Sequence, residues 1–154
     1  ILSLQGEVAR AITSGVRIKL APQADARLAA PRKVDPEAYE YYLKGRYCWN
    51  RRTEDDLRRA VEYFRLAIGR DPSSALAYAG LADAYNLQGF FYIQSPAETF
   101  AHARAMALRA IELDPSLGEA HNSLAYARLY YAWDWAGAEG AFRRAIAENL
   151  EKAQ

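Results

Sequence analysis

Apolar positions recur along this chain with a helical period. Leu4, Val8, Ile12, Val16 and Leu20 fall at steps of four, with Glu7, Arg10 and Arg17 off that stripe, which predicts an amphipathic helix over residues 1–20. Pro22 and Pro31 then mark a linker that runs to Lys33 and carries a short helix over residues 24–29. Further along, the apolar pattern is rich in alanine and repeats itself. Ala60, Phe64 and Ala67 precede Pro72 at the same offsets by which Ala103, Ala107 and Ala110 precede Pro115, and the offsets return in Ala138, Phe142 and Ala145. Asp-Pro pairs stand at Asp35-Pro36, Asp71-Pro72 and Asp114-Pro115, 36 and 43 residues apart, and Asn149-Leu150 replaces the pair at the fourth site.

The first helix of each unit has its own pattern. Tyr78, Leu81, Ala82 and Tyr85 follow Pro72, and His121, Leu124, Ala125 and Arg128 follow Pro115. A large residue, Leu, a small residue and a second large one, then Ala-x-x-x-Phe, Ala and Pro, resembles the tetratricopeptide repeat, TPR. The resemblance implies an all-α superhelix of about three TPR helix pairs, over residues 36–72, 73–115 and 116–150, preceded by the amphipathic helix. Small residues such as Ala82 and Ala60 let paired helices approach, Tyr78 and Phe64 fill the space between them, and proline stops the second helix. One pair cannot bury its apolar face alone, so neighbours stack.

Caps support these boundaries. Ser95-Pro96-Ala97-Glu98 and Ser116-Leu117-Gly118-Glu119 both predict Ser at the N-cap and Glu at N3, while Thr53 and Asp134 are expected to cap the second helices of units one and three. Six helices are expected in the repeats and two in the N-terminal segment.

The units depart from the family pattern in three places. Unit two is 43 residues long, against the usual 34 or so for the family, and the excess falls around Gln88–Gln94, which lengthens either the loop or its helices. Phe90, Phe91 and Tyr92 there are expected to fold back over the helix ends, with a partner anchor as the alternative. In unit one, Tyr39, Tyr42, Leu43, Gly45 and Tyr47 allow more than one register. Unit three carries Tyr130, Tyr131, Trp133 and Trp135 at its turn, read as stacking within the repeat or as a contact surface.

Composition narrows the function classes. The chain has 154 residues, 51% of them apolar and 25% charged, with a formal charge of +1, so it suits one soluble helical domain and lacks a bulk field to collect nucleic acid. Arg46, Arg51, Arg52, Arg58 and Arg59 cluster, but Glu54, Asp55, Asp56 and Glu62 beside them predict mutual pairing on a solvated face. A single cysteine, Cys48, excludes an intramolecular disulfide and a multi-cysteine zinc site. His102 and His121 sit on different helices without ligand spacing, and His121 occupies a repeat core position, so no metal and no cofactor is expected. No phosphate loop, nucleophile elbow or acid–base pair occurs, which reads against an enzyme. No apolar run reaches the length of a membrane span, and a cytoplasmic setting is expected. Ile1 lacks an initiator Met and a signal-peptide pattern, which suggests a fragment of a longer chain.

The stretch Leu4-Gln5-Gly6-Glu7-Val8-Ala9-Arg10-Ala11-Ile12 ahead of Tyr39-x-x-Tyr42-Leu43-Lys44-Gly45-Arg46 also resembles the junction in bacterial multidomain signalling proteins. In those, a small α/β domain like the N-terminal domain of TolB precedes the repeats, with an adenylate cyclase, winged-helix or kinase module further upstream. That resemblance implies that residues 1–33 end a preceding domain and that 34–154 form the array. It implies a non-catalytic protein–protein interaction scaffold, or alternatively the regulatory or oligomerising arm of such a signalling protein, with a protein or peptide as partner. Self-association is expected through residues 1–20 or through the uncovered end of the last repeat. The inner surface formed by first helices places Lys44 and Tyr47 of unit one, Asp83 and Asn86 of unit two, and Asn122, Tyr126 and Tyr130 of unit three toward a partner, with Phe90, Phe91 and Tyr92 as candidate anchors. Some TPR domains hold a terminal carboxylate with Lys and Asn, a clamp that Ala79, Asp83 and Asn86 do not reproduce.

Overall fold

The computed structural model describes residues 35–153; the expected helices at 1–20 and 24–29 and their linker lie outside the described residues. The described residues form six α-helices: α1 Pro36–Arg51, α2 Glu54–Arg70, α3 Ala75–Phe90, α4 Pro96–Leu113, α5 Gly118–Ala127 and α6 Trp135–Ala153. No strand occurs among them. A π-helical turn, Arg128–Ala132, extends α5. The helices pack in succession, α1 on α2, α3 on α4 and α5 on α6, while α2 meets α3 and α4 meets α5.

Two of the Asp-Pro pairs do one job and the first does another. Asp35 N-caps α1, its carboxylate accepting from Glu37 N–H at 2.9 Å, with Pro36 as the first helical residue, which needs no N–H there. Asp71 and Asp114 instead end α2 and α4, donating their N–H groups to the carbonyls of Ala67 and Ala110. Each carboxylate then accepts the N–H of the serine two residues on, Ser73 or Ser116, at 3.0 Å. The Asp-Pro-Ser turn is therefore a repeated Asx-type corner that stops one helix and aims the next.

This corner corrects one expected cap. The Ser116 hydroxyl is turned back to Asp114 Oδ1 at 2.7 Å, and Leu117 takes the N-cap position of α5 without a side-chain bond. Ser95 does hold the N-cap position of α4, but its backbone carbonyl, not its hydroxyl, accepts from Glu98 and Thr99. Thr53 caps α2 as expected, accepting from Asp56 N–H at 3.2 Å and donating to Asp56 Oδ2 at 2.7 Å. Asp134 accepts from Gly137 N–H at 2.9 Å at the start of α6.

The extra length of unit two is shared between loop and helix. α3 runs on to Phe90, five residues separate it from α4, and α4 is 18 residues long. In unit three the first two aromatics of the expected turn, Tyr130 and Tyr131, lie in the π-helical segment, whose wider i to i+5 winding precedes the left-handed Trp133 at φ 50°.

The repeated alanines are the core. Ala60, Ala67, Ala103, Ala107 and Ala110 are fully buried, as are Ala82 and Ala125 on the facing first helices. Phe64 fills the junction of α1, α2 and α3. A Cβ on Gly45 would lie 2.7 Å from its ring, and one on Gly80 would lie closer still. The two glycines let α1 and α3 close on the same edge of the ring, Cε1, Cδ1 and Cζ.

Candidate partner-binding groove

The first helices α1, α3 and α5 meet along one side, α3 packing on both of the others. Two adjoining cavities of about 390 and 290 Å³ share Trp49, Asp83 and Asn122 in their walls and form one groove across these helices.

A chain of polar contacts crosses its floor. Arg46 Nη1 of α1 lies 3.2 Å from Asp83 Oδ2 of α3, the Ser123 hydroxyl of α5 donates to Asp83 Oδ1, and Asn86 Nδ2 donates to the Ser123 carbonyl at 2.9 Å. Residues of three successive units are thereby tied together. Burial pushes the Asp83 carboxyl up to about 6, against the opposing pull of the Ser123 hydroxyl and the Arg46 guanidinium. Two polar atoms in the groove wall have no partner among the described residues: Asn86 Oδ1 and Trp49 Nε1, both buried. Both lie beneath the groove surface, where a buried polar atom without a partner is costly. Guanidinium groups of Arg46 and Arg52 lie 4.5 and 5.5 Å from the Trp49 ring centre.

The other wall is aromatic. Phe90 packs edge-on against Phe91, Tyr126 and Tyr130 at 5.3, 6.2 and 5.4 Å between ring centres, and Tyr126 and Tyr130 lie 4.4 Å apart. Burial, helped by Tyr130 and opposed by Arg52, pushes the Tyr126 phenol up to about 12, so it stays a hydrogen-bond donor at any ordinary pH.

Six of the ten candidate residues, Asp83, Asn86, Phe90, Phe91, Asn122 and Tyr126, line this groove. Tyr130 joins through Phe90 and Tyr126. Tyr92 stands at φ 57° and is 81% exposed, clear of the packed aromatics. Lys44 and Tyr47 line a separate cavity of about 420 Å³ with Cys48, Arg51 and Asp56. The physical reason is the register of α1: Gly45 faces Phe64, as the small residues of the other first helices face their partners, so Arg46 and Trp49 reach the groove. Lys44 and Tyr47 sit about 200° further round the helix.

Four contributors escaped the sequence reading: Arg46, Trp49, Arg52 and Ser123. The signal was present in Gly45, a small residue that could have been aligned with Ala82 and Ala125, which would have set Arg46 against Asp83 and Trp49 against Asn86. The basic cluster divides: Arg51 pairs with Asp56 at 2.9 Å and Arg58 with Glu54 at 2.8 Å, as local pairing predicts, whereas Arg46 crosses to Asp83 of the next unit.

The remaining candidates are structural. His121 Nε2 is 2.9 Å from the Pro115 carbonyl, and His102 stacks on Tyr85 at 5.2 Å. Among the described residues no group of three or more His, Cys, Asp or Glu is placed to hold a metal ion, and no helix is long and apolar enough to cross a membrane. A cavity of about 440 Å³ beside the π-helical turn, lined by Phe100, Arg104, Arg128 and Tyr131, contains none of the ten.

No family model matches the chain. Among solved structures it is similar to the second TPR of Spaghetti (RPAP3) bound to an HSP90 peptide, SRMEEVD, with a TM-score of 0.58 and 24% identity, covering 73% of this chain and 92% of that one. The described residues therefore have the tetratricopeptide-repeat fold. The chain is also 31% identical over 132 residues to a protein of Rhizobium meliloti (strain 1021) named "Putative adenylate cyclase 3". That match covers 82% of this chain but only 22% of the relative, so the chain spans about a fifth of its length.

Proposed function

We propose that this chain is a non-catalytic scaffold that binds a protein or peptide in the groove of α1, α3 and α5. The observation that carries the reading is that exposed polar side chains, Arg52 and Asn122, line the same cavity as the packed aromatic surface of Phe90, Phe91 and Tyr126. A site of that kind offers hydrogen bonds and apolar contact area to a partner and no reaction centre. The solved neighbour that carries a bound peptide supports the same use of the fold. Placing a photo-crosslinking amino acid at Asn122 in the groove, and at exposed Glu112 on α4 as a control, tests it in cells. A partner captured from position 122 and not from 112 is expected; capture from 112 alone contradicts the groove assignment.

The Rhizobium relative favours a second, compatible reading, in which the array is the regulatory or oligomerising arm of a bacterial signalling protein. In that arrangement residues 1–33 close a preceding domain and the array occupies 34–154. The exposed Leu150 on α6, 58% accessible and outside the groove, supports self-association through the last repeat. Light scattering of the chain and of a Leu150→Glu variant tests it: a dimer converted to monomer supports the oligomerising arm, and a monomer in both opposes it.

A further inference from the structure

We propose that Asp83 is a proton-operated latch: its carboxylate holds Arg46 of the first unit and Ser123 of the third, and proton uptake frees Arg46 from it. The latch belongs to the array itself and stands whether or not the groove binds a partner.

The geometry supplies each part of the device. Asp83, on α3, sits on the groove floor and lines both cavities with its side chain 14% exposed, so a proton from solvent reaches it. One carboxylate oxygen faces Arg46 Nη1 of α1 at 3.2 Å, and the other accepts from the Ser123 hydroxyl of α5. Tyr42 and Arg46 face it from α1 and Glu119 from α5, while α6 brings Phe142, Ala145, Ile146 and Asn149, none of them titratable, to the adjoining cavity. α2 and α4 pack on the other side of α3, where Arg65 and His102 meet Tyr85 instead. Burial favours the neutral acid, and one guanidinium and one hydroxyl do not fully offset it, which leaves the carboxyl titrating at about 6.

When the carboxylate takes up a proton, Arg46 loses its opposite charge but keeps two other supports. Its guanidinium lies 4.5 Å from the Trp49 ring centre, and its side chain is 32% exposed to water. Release therefore strands no buried charge. The groove changes with it. Arg46 and Arg52 are balanced by Asp83 and Glu119 while Asp83 is ionised, and protonation removes one of those two negative charges, so the groove gains one positive charge as α1 loses its ion pair with α3.

Nuclear magnetic resonance of the 154-residue chain, labelled with ¹³C and ¹⁵N, tests the latch between pH 7.5 and 4.5. The Asp83 carboxyl carbon, identified by its loss in Asp83→Asn, is expected to titrate with a midpoint of about 6. Arg46 Nε–H and the Trp49 indole N–H are expected to move with the same midpoint, because the guanidinium that leaves the carboxylate lies against the indole. In Asp83→Asn both signals should lie near the parent's acidic positions at pH 7.5 and stop titrating. Ser123→Ala removes a donor that favours the ionised form and should raise the midpoint by about half a unit to one unit, which carries the test if Asp83→Asn fails to fold. A carboxyl midpoint of about 4 overturns the latch. So does a carboxyl that titrates at about 6 while Arg46 and Trp49 stay still, or a Trp49 response that persists in Asp83→Asn and so belongs to another group such as His102 or His121. Movement of Trp49 only where the helical circular dichroism is lost is unfolding and also overturns it.

Discussion

The packing of Phe64 against two glycines makes a prediction with an unusual sign. Replacing a helical glycine by alanine ordinarily stabilises, by about 0.8–1 kcal/mol of helix propensity. At Gly80 the added methyl would run into the Phe64 ring, which is fully buried and whose same edge packs against the Gly45 backbone. The ring cannot yield without displacing the helices that enclose it. Overpacking of this kind costs about 1–3 kcal/mol, and at an enclosed site the upper part of that range applies. Gly80→Ala is therefore expected to destabilise by about 1–2 kcal/mol net. Gly69, on the exposed face of α2 with nothing within 4 Å of a Cβ, is the internal control and should gain about 0.5–1 kcal/mol on the same change. Urea unfolding followed by circular dichroism reads both as shifts of the midpoint at constant slope. Adding Phe64→Leu to Gly80→Ala should recover part of the loss, giving a non-additive cycle. If Gly80→Ala is as stabilising as Gly69→Ala, the close approach of α1 and α3 on Phe64 is wrong.

Other expectations follow from the same packing and electrostatics. Phe64→Ala should cost about 3–5 kcal/mol, or prevent folding, in the same denaturation assay. Thr53→Ala removes the α2 cap and leaves buried Asp56 without its hydroxyl donor, for a loss of about 1–2 kcal/mol in melting experiments. Asp83 has its folded pKa raised to about 6 from a value near 3.8, so the folded array binds a proton that the unfolded chain does not between those values. Its burial penalty is present above pH 6 and is relieved as pH falls toward 4, by at most about 3 kcal/mol. The stability of the parent relative to Asp83→Asn should thus rise as pH falls through 6, and a difference that does not change between pH 7.5 and 4.5 refutes the assignment.

The fold was legible wherever one residue type served one local purpose. Ala60, Phe64 and Ala67, and their counterparts in the other units, recur because close helix packing requires small and large residues at set offsets, and that requirement survives in a single sequence. Thr53 and Asp134 were legible for the same reason, since a cap acts within three residues. The Asp-Pro spacing was partly misleading: Asp35 begins a helix, while Asp71 and Asp114 end one, so equal dipeptides marked different corners. Counted from one N-cap to the next, the first two units run 39 and 43 residues, from Asp35 to Ser74 and from Ser74 to Leu117. The groove was harder to read. Asp83, Asn86, Asn122 and Tyr126 followed from repeat position, but Arg46 and Trp49 depended on the register of α1, which its many tyrosines left ambiguous. The partnership of Arg46 with Asp83, 37 residues away, is a tertiary fact that no local pattern encodes. The π-helical winding of Arg128–Ala132 has no sequence signal.

The central claim is that the face of α1, α3 and α5 is the binding surface. The chain has three tryptophans, one in the groove and two, Trp133 and Trp135, with their rings tilted against each other at 6.0 Å by the turn before α6. Their three indole N–H resonances report separately in a ¹⁵N-labelled sample. Titration with a crosslinked partner should move the Trp49 signal, because the Trp49 ring lines the groove, and leave those of Trp133 and Trp135 in place. A bound partner that shifts Trp133 and Trp135 while Trp49 stays unchanged contradicts the account.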